Sequence, residues 1–162
     1  MTEVRWLTES ERDAWLATGA LMVALPGALD AQLQADAGLS LFEYMVLAVL
    51  SEQPDRTLQM SVIASFASGS LSRLSHAATR LERQGFLIRS KIPGAGRRTN
   101  ATLTDAGYEK VTSAAPGHVA EVRRLLIDRV SPEDLAAVAR VGTTVLESLG
   151  SACEETGQSS AR

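Results

Sequence analysis

Arginine, histidine and hydroxyl side chains crowd one stretch of this 162-residue chain. Between Ser70 and Arg98 stand seven basic residues, Arg73, Arg80, Arg83, Arg89, Lys91, Arg97 and Arg98, against a single acid, Glu82, so the window carries +6. The other residues hold nine bases and eighteen acids, or −9, and the whole chain is −3. A basic segment concentrated inside an acidic protein marks a docking place for a polyanion, where charge alone would equally allow a solvated face. The residue types suit duplex DNA. Arg73 and His76 can donate to a guanine edge, and a bidentate arginine there discriminates by roughly 1–3 kcal/mol. Ser70, Ser72, Ser75 and Thr79 are hydroxyls of the size that reaches phosphates or bases. Lys91, Arg97, Arg98 and Thr99 can follow the backbone or enter a minor groove. Arg80 belongs to the same set, touching phosphate or bracing the hairpin, and Arg83 reads as a surface residue.

Other chemistries find little support. The sequence offers no nucleophile–base pair, no phosphate-cradling glycine loop and no paired carboxylates suited to acid–base work, so no enzyme is expected. Two histidines and one cysteine without ligand spacing predict neither metal nor cofactor. His118 reads as a cap or surface residue. Cys153 has no partner for an internal disulfide, which fits a reducing cytoplasm, and Glu154 and Glu155 beside it raise a thiol pKa and disfavour a redox switch.

The elements that position these groups follow from pattern. Only 4% of residues are aromatic while Ala and Leu abound, which favours helices over sheets. Thr8 to Glu11 is a capping box that opens a helix bearing Trp15, Leu16, Leu21, Met22 and Leu25. Pro26 is expected to kink it, and Leu29 and Leu33 continue it to Gly38. A helix of about 28 residues spans roughly 42 Å, more than one small domain covers, so part of it should bury against another subunit. No uninterrupted apolar run reaches the roughly 18 residues of a membrane span, and the acidic N-terminus does not resemble a signal peptide, so no membrane association is expected.

Ser40 to Glu43 is a second capping box, opening a helix with Leu41, Met45, Leu47 and Leu50 that ends in a polar turn from Ser51 to Arg56. A short helix from Ser61 to Ala67 stops at Ser68 and Gly69. The next runs from Ser70 to Gln84, with Leu71, Leu74, Ala78 and Leu81 as its buried stripe. Gly85 suits a left-handed helix end. Phe86 to Lys91 and Thr99 to Leu103 then alternate as strands around a loop with Pro93, Gly94 and Gly96, forming a hairpin with a mobile basic tip. Thr104 caps a helix to Ala114 or Ala115, interrupted at Pro116 and Gly117 and resumed through Val119, Val122, Leu125 and Leu126. Ser131 and Pro132 start a last helix carrying Leu135, Val138, Val141, Val145 and Leu149. The polar stretch from Gly150 onward is expected to be disordered.

Two short helices joined by a tight turn, followed by a basic hairpin, make a winged helix-turn-helix. The fold class is therefore mainly α with a small β-hairpin wing, plus a helical dimerisation region. The stretch L-S-R-L-S-H-A-A-T-R-L-E-R-Q-G-F-L-I-R, then G-R-R-T-N-A-T-L-T-D-A-G, resembles the MarR family of bacterial transcriptional regulators in recognition helix, wing and following helix. The segments A-P-G-H-V-A-E-V-R-R-L-L-I-D and S-P-E-D-L resemble that family's C-terminal region, and the similarity covers Trp6 to Leu149.

The resemblance implies a homodimer. Residues 1–38 and 104–149 would form the dimer region, residues 39–103 the DNA-binding lobe and residues 150–162 a tail. It also implies a pseudopalindromic operator on double-stranded DNA, repression, and release by a small phenolic or lipophilic effector. Trp15, Leu16 and Tyr44 are the candidate effector contacts. The chain departs from the family's pattern in three places. Gly96 stands where an aspartate commonly precedes the wing arginine, His76 where arginine is common, and Arg73 where threonine is frequent. Base preference therefore cannot be transferred. The competing reading is a winged module that binds an acidic protein partner instead of DNA. A ligand-binding protein without a DNA role fits the +6 window least.

Overall fold

The computed structural model describes residues 4–66, 70–94, 96 and 98–159, with side chains described through Leu149. Its elements are α1 (Glu9–Ala37), α2 (Leu41–Ser51), β1 (Thr57–Gln59), α3 (Met60–Phe66), α4 (Leu71–Arg83), β2 (Leu87–Lys91), β3 (Thr99–Leu103), α5 (Asp105–Leu125), a short 3-10 turn (Ile127–Arg129) and α6 (Pro132–Ser159). The chain divides into two compact units, one ending at Glu121 and the other starting at Val122.

Both predicted capping boxes form. Thr8 accepts the Glu11 N–H while Glu11 accepts the Thr8 N–H, and Ser40 and Glu43 repeat the arrangement at α2. Helix α1 runs through Pro26 to Gly38, as expected, and the φ of 64° at Gly38 closes it. An 18-residue window of α1 consequently reaches a mean hydropathy of 1.4 with at most two charges, enough by length and composition to cross a bilayer. Counting uninterrupted apolar residues overlooks this, because Pro26 and Gly27 break the run while the apolar pattern continues on both sides. A proline forfeits one backbone hydrogen bond without ending the apolar pattern on either side of it.

The same lesson corrects α5, which continues through Pro116 and Gly117. Val111, Ala114, Ala115 and His118 keep their shielded stripe at helical spacing across the break. Helix α6 likewise continues to Ser159, past the expected end of order at Gly150. Ala152, Glu154, Glu155 and Gln158 are good helix formers, and no proline follows Pro132 to stop them.

The first unit is built around α2. Val46, Leu47 and Leu50 pack with Ile63 of α3, Leu74, Ala78 and Leu81 of α4, and Leu87, Ala101 and Leu103 of the sheet. That sheet is antiparallel in the order β1-β3-β2, with Leu87 opposite Leu103 and Leu58 opposite Ala101. Strand β1 was not expected. It is three residues long, too short to show alternation, and it exists by pairing with the free edge of β3. Arg56 just before it adopts φ 52°, rare for a side-chain-bearing residue. It is held there by Asp105 at 2.9 Å and by the Tyr108 ring, 3.9 Å beneath its guanidinium.

The junction between α4, β2 and α5 explains why Gly85 and the T-D-A-G sequence occur together. Gly85 turns the chain with φ 76°, and the Phe86 N–H returns to the Leu81 carbonyl at 2.9 Å. The Thr104 hydroxyl donates to the Gly85 carbonyl at 2.7 Å and accepts the Gly107 N–H at 3.0 Å, while the Thr104 N–H reaches the Phe86 carbonyl at 3.1 Å. The first turn of α5 therefore lies directly on the start of β2. A Cβ on Gly107 would stand 2.0 Å from the Phe86 carbonyl oxygen.

Candidate nucleic-acid interface

Helix α4 presents two unlike faces. Leu74, Ala77, Ala78 and Leu81 are buried, while Ser72, Arg73, Ser75 and His76 are exposed. Ser70 is the N-cap, its hydroxyl accepting the Arg73 N–H at 3.2 Å. The capped N-terminus of a helix attracts phosphate, and the hydroxyls of Ser72 and Ser75 stand beside it. Arg73 also lies over the Phe42 ring, 4.4 Å from guanidinium to centroid. That stacking orients the exposed arginine without neutralising it.

Two of the predicted contacts already have partners within the chain, Thr79 half-buried and Arg80 with its side chain 58% exposed. Thr79 is half-buried, its hydroxyl donating to the Ser75 carbonyl at 2.9 Å and accepting from Arg89 Nη2 at 3.1 Å. Arg80 is engaged by Glu43 of α2, with Nε 3.0 Å from Oε1 and Nη2 donating to Oε2 at 3.2 Å. The Nε contact is an ion pair poorly aligned for a hydrogen bond.

The wing is braced at its base. The Arg89 side chain donates twice to Glu82 Oε2, at 3.0 and 2.6 Å, and its N–H donates to Oε1 at 3.1 Å. These Arg89 hydrogen bonds hold the Glu82 carboxyl below its ordinary pKa. The tip is closed by the Ile92 N–H to the Arg98 carbonyl at 3.0 Å, and Gly94 and Gly96 take positive φ. Lys91 and Arg98 are exposed and Thr99 is half-buried, whereas Arg97 lies outside the described residues.

Between α4 and the wing runs an open cleft of about 540 Å³, lined by Gln59, Ser61, Ser75, Arg89, Arg98 and Thr99 among others. Gln59 and Ser61, which hydrogen-bond to each other at 2.9 Å, were missed by sequence reasoning. They join the site only because β1 brings the start of α3 to the sheet. No local pattern around them signals this.

The candidate effector residues lie outside both described clefts. Trp15 and Leu16 stand exposed on α1, Tyr44 is buried in α2, and neither the 540 Å³ cleft nor a smaller one of about 210 Å³ beside Phe66 includes them. Tyr44 instead packs on His118, with ring centroids 4.5 Å apart. His118 is therefore neither a cap nor a free surface residue. Burial holds its pKa below 6.5, and Nδ1 is shielded without a hydrogen-bond partner among the described residues. Burial, then the nearby Glu52 carboxylate, push the Tyr44 phenol up.

Comparison with known proteins gives a consistent picture. No family model matches the chain. Over 60 residues, 37% of the chain, it is 38% identical to YdcH of Bacillus subtilis, an uncharacterised helix-turn-helix transcriptional regulator, and this match spans 41% of that regulator. Among solved structures it is similar to Sco3205 of Streptomyces coelicolor, a MarR family transcriptional regulator in complex with DNA, with TM-score 0.86 and 40% identity over 92% of this chain and 93% of that one. AbsC, a MarR family regulator of the same organism, matches with TM-score 0.84 and 36% identity over 91% and 99% of the two chains.

Proposed function

Because the chain belongs to the MarR family of transcriptional regulators, we propose that it binds a pseudopalindromic operator as a homodimer and represses transcription until a small phenolic or lipophilic effector releases it. The observation that carries the DNA reading is the pairing of an exposed Ser72–Arg73–Ser75–His76 face with a braced basic wing across an open cleft. In this reading α4 enters the major groove and Arg98 reaches the neighbouring backbone, with the intervening sugar-phosphate strand crossing the cleft.

The dimer reading draws on apolar surface that each unit leaves exposed. Trp15, Leu16, Leu21, Met22 and Val23 are exposed on α1, and Val138, Val141, Val145, Leu146 and Leu149 on α6. Side chains of this kind in such number call for a partner. We assign that partner as a second copy, with residues 1–38 and 104–149 as the dimer region and residues 39–103 as the DNA lobe. A transcription factor acting on the chromosome is cytoplasmic, so the apolar length of α1 serves a subunit contact and not a membrane.

Selection from random duplex DNA tests the proposal. The expected product is a two-fold-symmetric site with half-sites about one helical turn apart, bound by two chains. An asymmetric product bound by one chain contradicts the dimer, and no enrichment contradicts sequence-specific reading.

A further inference from the structure

The first turn of α2 is held from two sides. From α1, the Asp30 carboxylate accepts the Leu41 N–H at 2.8 Å. From α4, Arg80 grips Glu43 through both carboxylate oxygens, at 3.0 and 3.2 Å. The same Glu43 accepts the Ser40 N–H and hydroxyl at 2.9 and 2.8 Å, so its carboxylate is shared between a helix cap and the recognition helix. Arg73 and Arg80 are seven residues apart, on one side of α4, and rest on the consecutive residues Phe42 and Glu43.

The pair is one-sided, a buried acid met by an arginine whose side chain is 58% exposed. The Glu43 side chain is only 2% exposed. Burying a carboxylate that deep is costly unless a cation and hydrogen-bond donors accompany it, and Arg80 supplies the cation. An acid beneath a DNA-reading helix also opposes phosphate binding, so its presence calls for a reason other than DNA contact.

We infer that Glu43 and Arg80 are a positioning pair: Arg80 pins the C-terminal half of α4 to α2, and through Asp30 to α1, and is not itself a phosphate ligand. This rests on the DNA reading of α4 and replaces the sequence-based expectation that Arg80 contacts DNA. Two guanidinium nitrogens meet the two carboxylate oxygens, one as a hydrogen bond and one as an ion pair, which a single lysine ammonium does not reproduce.

The test is fluorescence anisotropy with the selected operator and with random duplex DNA, across a salt series, using the full chain and the variants Glu43→Gln, Arg80→Ala and Arg80→Lys. The two roles of Arg80 predict opposite signs for Glu43→Gln. If Arg80 is a phosphate ligand held back by Glu43, removing the acid frees it and operator binding tightens. If the pair positions α4, operator binding weakens by about tenfold while binding to random DNA stays within about twofold.

Arg80→Ala is expected to show the same loss with an unchanged slope of log affinity against log salt, whereas losing a phosphate ligand lowers that slope by about 1. The double variant should be no weaker than either single one. Glutamine retains an acceptor for the capping box, which protects folding. Arg80→Lys keeps the charge and leaves Glu43 intact, and it is expected to lose operator affinity as alanine does. Tighter binding by Glu43→Gln, a slope lowered by about 1 in Arg80→Ala, or wild-type affinity in Arg80→Lys each overturns the inference alone. A wild-type chain that binds no DNA overturns the DNA reading and this inference with it.

Discussion

Replacing Gly107 by alanine adds one methyl group at the described glycine with the least room for a Cβ. The new Cβ would lie 2.0 Å from the Phe86 carbonyl oxygen, 2.9 Å from its carbon and 2.7 Å from Leu103 Cδ1. Two of these atoms are backbone and cannot rotate away, so the start of α5 must withdraw from β2 by more than 1 Å to reach ordinary contact, on the order of 3.2 Å. That withdrawal strains three hydrogen bonds: Thr104 hydroxyl to Gly85 carbonyl, Thr104 N–H to Phe86 carbonyl, and Gly107 N–H to Thr104 hydroxyl. Losing two of them costs about 1–3 kcal/mol, and overpacking adds about 1–3 kcal/mol. Alanine's better helix propensity offsets about 1 kcal/mol, leaving a net loss of roughly 1–5 kcal/mol.

For a chain of this size each kcal/mol lowers Tm by about 2–4 °C, so a mid-range loss of about 3 kcal/mol corresponds to roughly 6–12 °C. Differential scanning calorimetry at fixed chain concentration measures it. Gly142→Ala is the comparison, because Gly142 has helical neighbours and nothing within 4 Å of its would-be Cβ. It should leave Tm unchanged or raise it. A Gly107→Ala protein melting within about 1 °C of wild type would refute the close-approach argument.

Three further outcomes follow. Arg89→Ala removes the wing brace and leaves Glu82 without its partner. Operator affinity should fall by about tenfold in anisotropy titrations, more than for loss of a single rim contact. Arg73→Ala should relax preference at one base position per half-site, read by binding selection, at a cost of about 1–3 kcal/mol on the preferred operator. His118 gives a pH signature. Its folded pKa lies below 6.5, so the unfolded chain binds the proton first and stability falls as pH drops below 6.5, levelling off beneath the folded pKa. His118→Gln should flatten that part of the profile in urea denaturation, and an unchanged profile counts against burial at Tyr44.

The winged helix-turn-helix was legible because its signals are local. Ser70 as cap, Leu74, Ala78 and Leu81 as stripe, Gly85 as stop and the alternation after it each act within a few residues of themselves. The capping boxes at Thr8 and Ser40 were legible for the same reason. What failed was mostly a matter of competing strengths. Pro116 removes one hydrogen bond, and the helix pattern on both sides outweighs that loss.

The pairing of Arg80 with Glu43 and of Arg89 with Glu82 was hidden for another reason. An arginine facing DNA and one paired with a distant acid look alike in sequence, and Glu43 lies 37 residues from Arg80. Gln59 and Ser61 enter the site only through the pairing of β1 with β3, a long-range contact with no local trace. Thr79 appeared as a polar residue on the open face, but its hydroxyl is taken up by the Ser75 carbonyl and Arg89.

The central claim is that α4 and the wing together bind operator DNA. It is tested most directly by measuring the affinity of the wild-type chain and Arg98→Ala for the selected operator across a salt series. Wild-type binding is expected to weaken steeply with salt. Arg98→Ala is expected to bind every sequence more weakly, with a slope lower by about 1. Salt-insensitive binding by a folded wild-type chain, or an Arg98→Ala variant with unchanged affinity and slope, would contradict the claim.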